Sequence, residues 1–288
     1  MPIVEAKIIT LCDNSAVSMP DIRAEHGLSF YIEAKGRRIL FDTGQTNVAA
    51  HNAQILGIDM KGLPIILSHG HYDHTGGLDS ILNLTGRTEI YCHHDTFSSR
   101  SKLKDGCFLQ PIGIPWSREY LENKGVVFHI NAAWKEISNG IWLTGEIPRM
   151  VDFELPQESL VLASSTDRRR IQPGDRISID PLLDDQALAI ETRMGLIVIL
   201  GCSHSGLINT LEHVKKMSGI DEIFGVIGGT HLISSSKHSL HDTIKAIKHL
   251  DIKLLSPCHC TGSSGIGALF CEFGDHLVFN GSGTCIEI

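Results

Sequence analysis

The sequence has no apolar run near the length of a membrane-spanning helix. Such a helix needs about 20 consecutive apolar residues, whereas the longest candidate, residues 195–200, has only the length of a strand. The first residues also lack the basic and then apolar layout of a secretory signal peptide. We therefore expect a cytoplasmic protein that does not enter a membrane.

Excess positive charge and paired cysteines are lacking as well. The formal net charge is −8 at pH 7, so no general attraction to nucleic acid is expected. The eight cysteines include no Cys-x-x-Cys pair, which argues against a structural zinc site made of four cysteines. A chain of 288 residues needs no disulfide framework either, so most of these cysteines are expected to be buried thiols. Three lie beside candidate metal ligands: Cys202, Cys258 and Cys260.

Ligand-type side chains are concentrated in residues 68–77, which read Ser-His-Gly-His-Tyr-Asp-His-Thr-Gly-Gly. The segment follows an apolar, partly β-branched stretch, 63–67, that predicts a short buried strand. Its two closing glycines predict a turn. Four such side chains within six positions are hard to explain by chance in this place. They are candidate metal ligands: His69, His71, Asp73 and His74.

The spacing of these residues indicates how they share metal ions. His69 and His71 are two positions apart, which in extended backbone places both side chains on one face and lets them reach one ion. Asp73 and His74 follow where the chain must bend, so they point toward a second ion about 3.5–4 Å away, as in two-metal sites. We therefore expect one or two divalent metal ions. Zinc is the expected metal, with manganese or iron as alternatives.

Three further histidines follow successive predicted strands in the second half of the chain. His204, His231 and His259 are separated by 27 and 28 residues, which is the length of a strand–loop–helix–loop unit. Such crossovers make the strands parallel. The three histidines then fall on the carboxyl edge of one sheet, where open α/β sheets bind ligands. Together with residues 68–77, they argue for convergence on metal.

The run His-x-His-x-Asp-His-Thr-Gly-Gly closely resembles the signature of the metallo-β-lactamase superfamily. This resemblance implies an α/β (α+β) fold, a four-layer αββα sandwich with a metal site at one edge. Other segments resemble one subgroup, which includes the dihydropterin-methyl ribofuranosylaminobenzene phosphate synthases and many metal-dependent hydrolases. These segments are 25–29, 42–44, 145–149, 184–188, 201–206, 228–232 and 259–262.

The resemblance implies a role for each motif residue. One ion is expected on His69, His71 and His204, and the other on Asp73, His74 and His259. Asp42, in the Asp-Thr-Gly motif, is implied to support the metal loop from behind without binding metal itself.

The bridging aspartate that many superfamily members place between the last two histidine motifs has no counterpart here. Its absence would weaken the second metal position. Three substitutes remain open: His231, a carboxylate of Asp184 or Asp185, or water alone.

We expect a single domain over residues 1–288, with an insertion at about 95–185 that supplies substrate-contacting loops. Within it, Arg149 is a candidate contact to metal or substrate, and the polar run 164–170 is expected to be a solvated loop. His93 and His94 are expected to be ordinary loop histidines.

These residues predict a metal-dependent hydrolase. An ion held by three neutral histidines with an open position lowers the pKa of bound water to about 7. Asp73 is the expected catalytic residue, which ligates a metal ion and orients this water. Esters, amides and phosphoesters of small molecules are the expected substrates. The resemblance also supports an alternative, a metal-assisted transferase or synthase acting on a pterin or phosphorylated precursor. A redox di-iron centre and a non-catalytic metal-stabilised protein rank below both, and formation of a homo-oligomer is left open.

Overall fold

The computed structural model describes residues 4–154, 159–163, 170–172 and 175–288. Most of the strands follow the predicted apolar stretches to within about two residues. In chain order they are β1 (Ala6–Cys12), β2 (Ser29–Ala34), β3 (Arg37–Phe41), β4 (Ile65–Ile66), β5 (Thr88–Cys92), β6 (Arg100–Lys104), β7 (Cys107–Pro111), β8 (Val126–Ile130), β9 (Lys135–Ser138), β10 (Ile141–Leu143), β11 (Leu160–Ala163), β12 (Ile177–Ile179), β13 (Leu188–Thr192), β14 (Gly195–Leu200), β15 (Ile223–Gly229), β16 (Leu254–Cys258) and β17 (Cys285–Glu287).

The longer helices pack apolar side chains against the sheets, whereas the single turn α2 buries polar ones. They are α1 (Val48–Ile55), α2 (Tyr72–Thr75), α3 (Leu78–Thr85), α4 (Arg118–Asn123), α5 (Leu207–Ser218), α6 (Lys237–His249) and α7 (Gly262–Phe273). In α5 the buried apolar residues 207, 208, 211 and 214 recur at helical spacing, and the helix is capped by Gly219, whose φ of 72° is left-handed. Within the described ranges, no helix combines the length and apolarity needed to cross a membrane.

The first sheet has seven strands in the order β17-β1-β2-β3-β4-β5-β8. Strands β1, β2 and β3 form the predicted antiparallel meander. From β3 through β8 the strands are parallel. The short strand β4 is central in this parallel half, and the segment 68–77 leaves it at its carboxyl end.

The second sheet has six strands in the order β16-β15-β14-β13-β10-β9. Strands β14, β15 and β16 are parallel, as the spacing of the three histidines predicted. All six residues of β14 are buried, which is typical of a parallel strand covered on both faces. The carboxyl ends of these three strands therefore lie side by side.

Two helical layers enclose the two sheets. The space between the sheets is filled by apolar side chains of both, such as Phe30 and Phe41 from the first and Ile190 and Ile199 from the second. Helices α1 and α3 cover the outer face of the first sheet, and α5 and α6 cover that of the second. Full burial of each such side chain contributes about 1.5–3 kcal/mol. The result is the four-layer αββα sandwich that the resemblance implied.

The range 95–185, predicted as an insertion, has two kinds of structure. Helix α4 and strands β8, β9 and β10 belong to the main layers, whereas β12-β11-β6-β7 form a separate third sheet. The residue that follows β7, Ile112, contacts the segment 68–77, because its carbonyl accepts a hydrogen bond from Tyr72 N at 3.0 Å. Of the run predicted as a solvated loop, residues 164–169 lie outside the described residues.

Candidate metal centre

The segment 68–77 forms a tight loop because its glycines allow close packing. A Cβ on Gly76 would lie 2.2 Å from Gln45 O, and one on Gly77 would lie 2.0 Å from Thr43 O. These contacts press the loop against residues 42–46 at the end of β3. His69 and His71 precede α2, and His71 has extended backbone, whereas Asp73 and His74 lie in the single turn of the helix. All four side chains are buried.

One group of possible ligands joins His69, His71 and His204. The Nε2 of His69 lies 2.9 Å from Nδ1 of His71, and the His204 ring centroid lies 4.9 and 4.8 Å from theirs. One ligand atom of each falls within 4.8 Å of the others. Among the described residues, Nε2 of His71 and both ring nitrogens of His204 are buried without a hydrogen-bond partner. Unpaired buried nitrogens are costly, so this group fits a metal ion.

The second group joins Asp73, His74 and His259. The Nε2 atoms of His74 and His259 are 3.2 Å apart, and Oδ2 of Asp73 lies 3.9 and 3.4 Å from them. Two ligands of a tetrahedral zinc ion at 2.0–2.1 Å are roughly 3.3 Å apart. The opposite ring nitrogens face the acceptors Asp42 Oδ2, at 2.6 Å, and Asn14 Oδ1, at 3.0 Å. Protons on those nitrogens leave both Nε2 lone pairs facing Asp73, an arrangement that favours a cation.

The pKa directions differ between the two groups. Burial, together with neighbouring histidines, lowers the pKa of His69 and His204 well below the ordinary value, and burial lowers that of His71 to about 3. These rings are therefore neutral near pH 7, the form that binds metal. At His74, burial opposes protonation, but the carboxylates of Asp42 and Asp73 outweigh it and raise the pKa to about 9. Metal binding at the second group therefore competes with a proton.

Asp42 supports the loop from behind through three hydrogen bonds. Its Oδ1 accepts from the Ser68 N–H at 2.7 Å, and its Oδ2 accepts from Ser68 Oγ at 2.7 Å and His74 Nδ1 at 2.6 Å. Ser68 Oγ in turn lies 2.9 Å from His69 Nδ1. One carboxylate thus orients a ring in each group. A Cβ on Gly201 would lie 2.2 Å from Ser68 Oγ, so only glycine lets the end of β14 approach this support.

Replacement of Asp42 by Asn is expected to weaken metal binding by about 10–100-fold, the usual cost of losing a partner that orients a ligand. The amide N–H₂ cannot accept the hydrogen bonds that Oδ2 accepts from Ser68 and His74. Titration against a competing chelator measures the affinity. Asp59→Asn, at an exposed Arg38 ion pair, is the control and should bind metal like the wild type. Unchanged affinity in Asp42→Asn would show that the carboxylate does not orient the ligands.

Strained backbone surrounds the site. Four non-glycine residues next to the ligands or among them have left-handed φ angles: Asp42 at 59°, Ser203 at 57°, His231 at 52° and His259 at 51°. Such conformations cost on the order of 1–3 kcal/mol each and persist only where the surroundings fix them. They occur at strand ends, where the chain must turn to present its side chains to the site.

The remaining predicted residues lie close to the site but hold loops. The Oδ2 of Asp184 accepts from the Gly70 N–H at 2.8 Å, and Oδ2 of Asp185 accepts from the Ser205 N–H at 2.8 Å. Arg149 donates to the carbonyl of His204 at 2.6 Å. His231 is nearest to the ligands, with its ring centroid 4.3 Å from that of His204.

Sequence reasoning did not select His26, which lies at the second group. Its Nε2 is 3.2 Å from Asp73 Oδ2, and its ring stacks on His259 with centroids 5.3 Å apart. The residue stands in segment 25–29, which had served only for the resemblance. The contact depends on the hydrogen bond from Leu28 N to Asp73 O, 3.1 Å, a long-range pairing that spacing does not reveal. The predicted loop histidine His93 instead bonds Glu146 at 3.2 Å.

A cavity of about 480 Å³ opens over both groups of ligands. Its lining includes Asp73, His204 and His259 from the two groups. Three strands of the third sheet also contribute side chains to the lining: Lys102, Gln110 and Leu160. Its volume lies in the range of about 300–1,000 Å³ typical of small-molecule sites. The metal ligands thus face a space that can take a small organic molecule.

This fold and this site define a class of protein. The model of the metallo-beta-lactamase superfamily matches residues 22–259, and the chain belongs to that superfamily. The predicted family and its four-layer fold are thereby confirmed. The crystal structure of Tm1679, a metal-dependent hydrolase of the beta-lactamase superfamily, matches with a TM-score of 0.81 at 29% identity, over 99% of both chains.

Two proteins of Methanocaldococcus jannaschii are more similar in sequence. The first is its 7,8-dihydropterin-6-methyl-4-(beta-D-ribofuranosyl)-aminobenzene-5'-phosphate synthase, which is 33% identical over 277 residues, covering 93% of this chain and 91% of that protein. The second, MJ0448, is 34% identical over 262 residues, covering 90% and 92%. The chain is therefore a metal-dependent, hydrolase-like member of the superfamily that is also similar to a synthase.

Proposed function

We propose that this protein hydrolyses an ester, amide or phosphoester of a small molecule with a metal-activated water. The observation that carries the proposal is the presence of two adjacent groups of buried ligands beside one cavity, which is lined by members of both: His71, His204, Asp73 and His259. His69, His71 and His204 would hold one ion, and Asp73, His74 and His259 the other. When bound, the ions supply a water with a pKa near 7 and stabilise the developing oxyanion. Zinc is the metal that these ligands favour, because imidazole and carboxylate suit it.

Asp73 and His26 have separate roles in this proposal. Asp73 Oδ2 faces His259 and His26 at 3.4 and 3.2 Å, and the carboxylate, which lies at the cavity, would orient the attacking water. His26 is exposed at the cavity, with its Nε2 on Asp73. A histidine so placed can transfer a proton to the leaving group.

The cavity wall indicates the class of substrate. Lys102 supplies an ammonium group that suits a phosphate or carboxylate, and Ile112 and Leu160 supply apolar surface for a ring. We therefore expect an anionic small molecule with an apolar or aromatic part.

A second candidate function is a metal-assisted transferase or synthase acting on a pterin or phosphorylated precursor. The observation in its favour is the 33% identity, over 93% of the chain, to a synthase whose named product carries a phosphate. The same cavity, with Lys102 in its wall, suits such a substrate.

Turnover assays on metal-loaded and chelator-treated protein test the proposal. We expect metal-dependent hydrolysis of at least one member of a panel of aryl esters, amides and phosphodiesters. Lys102→Ala should raise KM for anionic members and leave neutral ones unchanged, with exposed Lys61→Ala as the matched control. If the protein converts only a pterin compound together with a ribofuranosylaminobenzene phosphate, its function is that of a synthase. Absence of turnover on the whole panel would reject hydrolysis.

A further inference from the structure

The thiol of Cys202 lies between the two groups of ligands. Its Sγ is 3.2 Å from Nε2 of His74, and it lies within 4.8 Å of ring nitrogens of His69, His204 and His259. A sulfur at 2.3 Å and a nitrogen at 2.0–2.1 Å on one tetrahedral zinc ion are roughly 3.6 Å apart. The side chain is only 4% exposed. Its sulfur is thus within reach of both metal positions.

The carboxylates that could bridge two ions are engaged elsewhere. Asp184 accepts from Gly70 N at 2.8 Å and from Arg100 Nη2 at 2.7 Å, one bond on each oxygen. Asp185 accepts from Ser205 N. Both carboxylates therefore fix loops that carry ligands.

Charge balance also calls for an anion at this position. The first group consists of three neutral imidazoles, and the second contributes one carboxylate, that of Asp73. Of these six side chains, only that of Asp73 would bring a negative charge to two divalent ions in a buried site. Uncompensated buried charge is strongly unfavourable. A thiol loses its proton on binding metal, so Cys202 can supply the second negative charge.

We propose that Cys202, bound as a thiolate, is the shared ligand of the two metal positions and takes the place of the missing bridging aspartate. The thiol releases its proton to solvent as the metal–sulfur bonds form. The inference rests on the metal binding that the proposed function requires, and it makes no assumption about the substrate.

Cys260 is the neighbouring thiol that could be mistaken for this ligand. Its sulfur accepts a hydrogen bond from the His231 N–H at 3.3 Å, and its S–H points to the carbonyl of Cys202 at 3.5 Å. Through these two contacts Cys260 joins the loops after β15 and β14. Its sulfur also lies within 4.8 Å of ligand atoms of Cys202 and His259, so the two thiols must be compared directly. Cys260 therefore serves as the matched control for Cys202.

Substitution with cobalt(II) detects a sulfur ligand directly, because a cobalt–thiolate bond gives an intense charge-transfer band in the near ultraviolet. Full-length protein, stripped with chelator and titrated with Co²⁺ alone, should develop this band. We expect Cys202→Ser to lose the band and to bind the second ion at least about tenfold more weakly, since even a residue that only orients a ligand costs about 10–100-fold. Cys260→Ser, and the exposed control Cys271→Ser, should keep it.

Cys202→Asp provides a second test in case Cys202→Ser does not fold. Circular dichroism checks the fold of each variant. Cys202→Asp should bind two ions without the band, because aspartate restores a shared anionic ligand that has no sulfur. A wild-type protein without the band, a band that survives in Cys202→Ser or Cys202→Asp, or a band lost in Cys260→Ser would each overturn the proposal. Because the readout is spectroscopic, it separates this inference from failure of the proposed hydrolysis.

Discussion

His204→Ala is expected to lower turnover by more than about 100-fold and to remove the ion held by the three histidines. His204 is the one member of this group that comes from the second sheet, so its removal leaves only His69, His71 and the proposed Cys202 thiolate on that ion. Even a residue that only orients a ligand costs about 10–100-fold, and loss of the ligand itself should cost more. Elemental analysis of purified protein measures the metal content, and turnover of whichever compound of the panel the wild type hydrolyses measures the activity.

His259→Ala is the companion variant, since His259 belongs to the second group. It should lose mainly the other ion and keep the one on His69 and His71. His238→Ala, at an exposed position on α6, controls for a general loss of histidine and should retain full metal content. Equal metal loss from both positions in His204→Ala and His259→Ala would contradict the assignment into two groups.

Arg100→Met is expected to lower the free energy of unfolding by about 3–5 kcal/mol, the usual cost of removing one partner from a buried ion pair. The side chain is 1% exposed, and it donates to Asp180 at 2.6 Å and to Asp184 at 2.7 Å. Its removal leaves two carboxylates buried without their counter-charge. Since Asp184 also holds Gly70, metal affinity should fall as well. Urea titration at fixed pH, with an unchanged m-value, gives the stability change.

Two comparisons isolate the charge effect. Adding Asp180→Asn and Asp184→Asn to Arg100→Met removes the unpaired charges and should recover much of the loss. Arg118→Met, which breaks an exposed pair with Glu122 on α4, should change stability little, as exposed pairs contribute little. A small loss in Arg100→Met would mean that water reaches these carboxylates.

Local sequence patterns predicted which strands are parallel, and therefore which residues of the candidate site lie at one edge of the second sheet. The spacing of His204, His231 and His259 required three parallel strands in sequence order, and β14, β15 and β16 are paired in that way. Once those strands are adjacent, their next residues must share one edge. Residues 68–77 could also be predicted to bind metal, because four ligand-type side chains between a buried strand and a glycine turn have few purely structural explanations.

Long-range contacts between isolated residues could not be predicted in the same way. Arg100 reads as a surface residue because arginine is rarely buried, and only the fold brings Asp180 and Asp184 to it. His26 depends on a pairing with residue 73 that no periodicity encodes. The strands of the third sheet could not be predicted from the sequence, because they are short and partly exposed and their alternation of apolar and polar residues is weak.

Strand β6 carries two residues with different tasks, and the two positions can change independently in evolution. Arg100 secures the loop of metal ligands through Asp184, and Lys102, two positions further along the same strand, lies in the cavity wall. Side chains two apart on a strand share a face, so anchor and wall are built on one short piece of chain. Drift at position 102 would change which molecules enter while the anchor keeps the chemistry intact. A lineage could thereby acquire new substrates by single substitutions, without passing through an inactive ancestor.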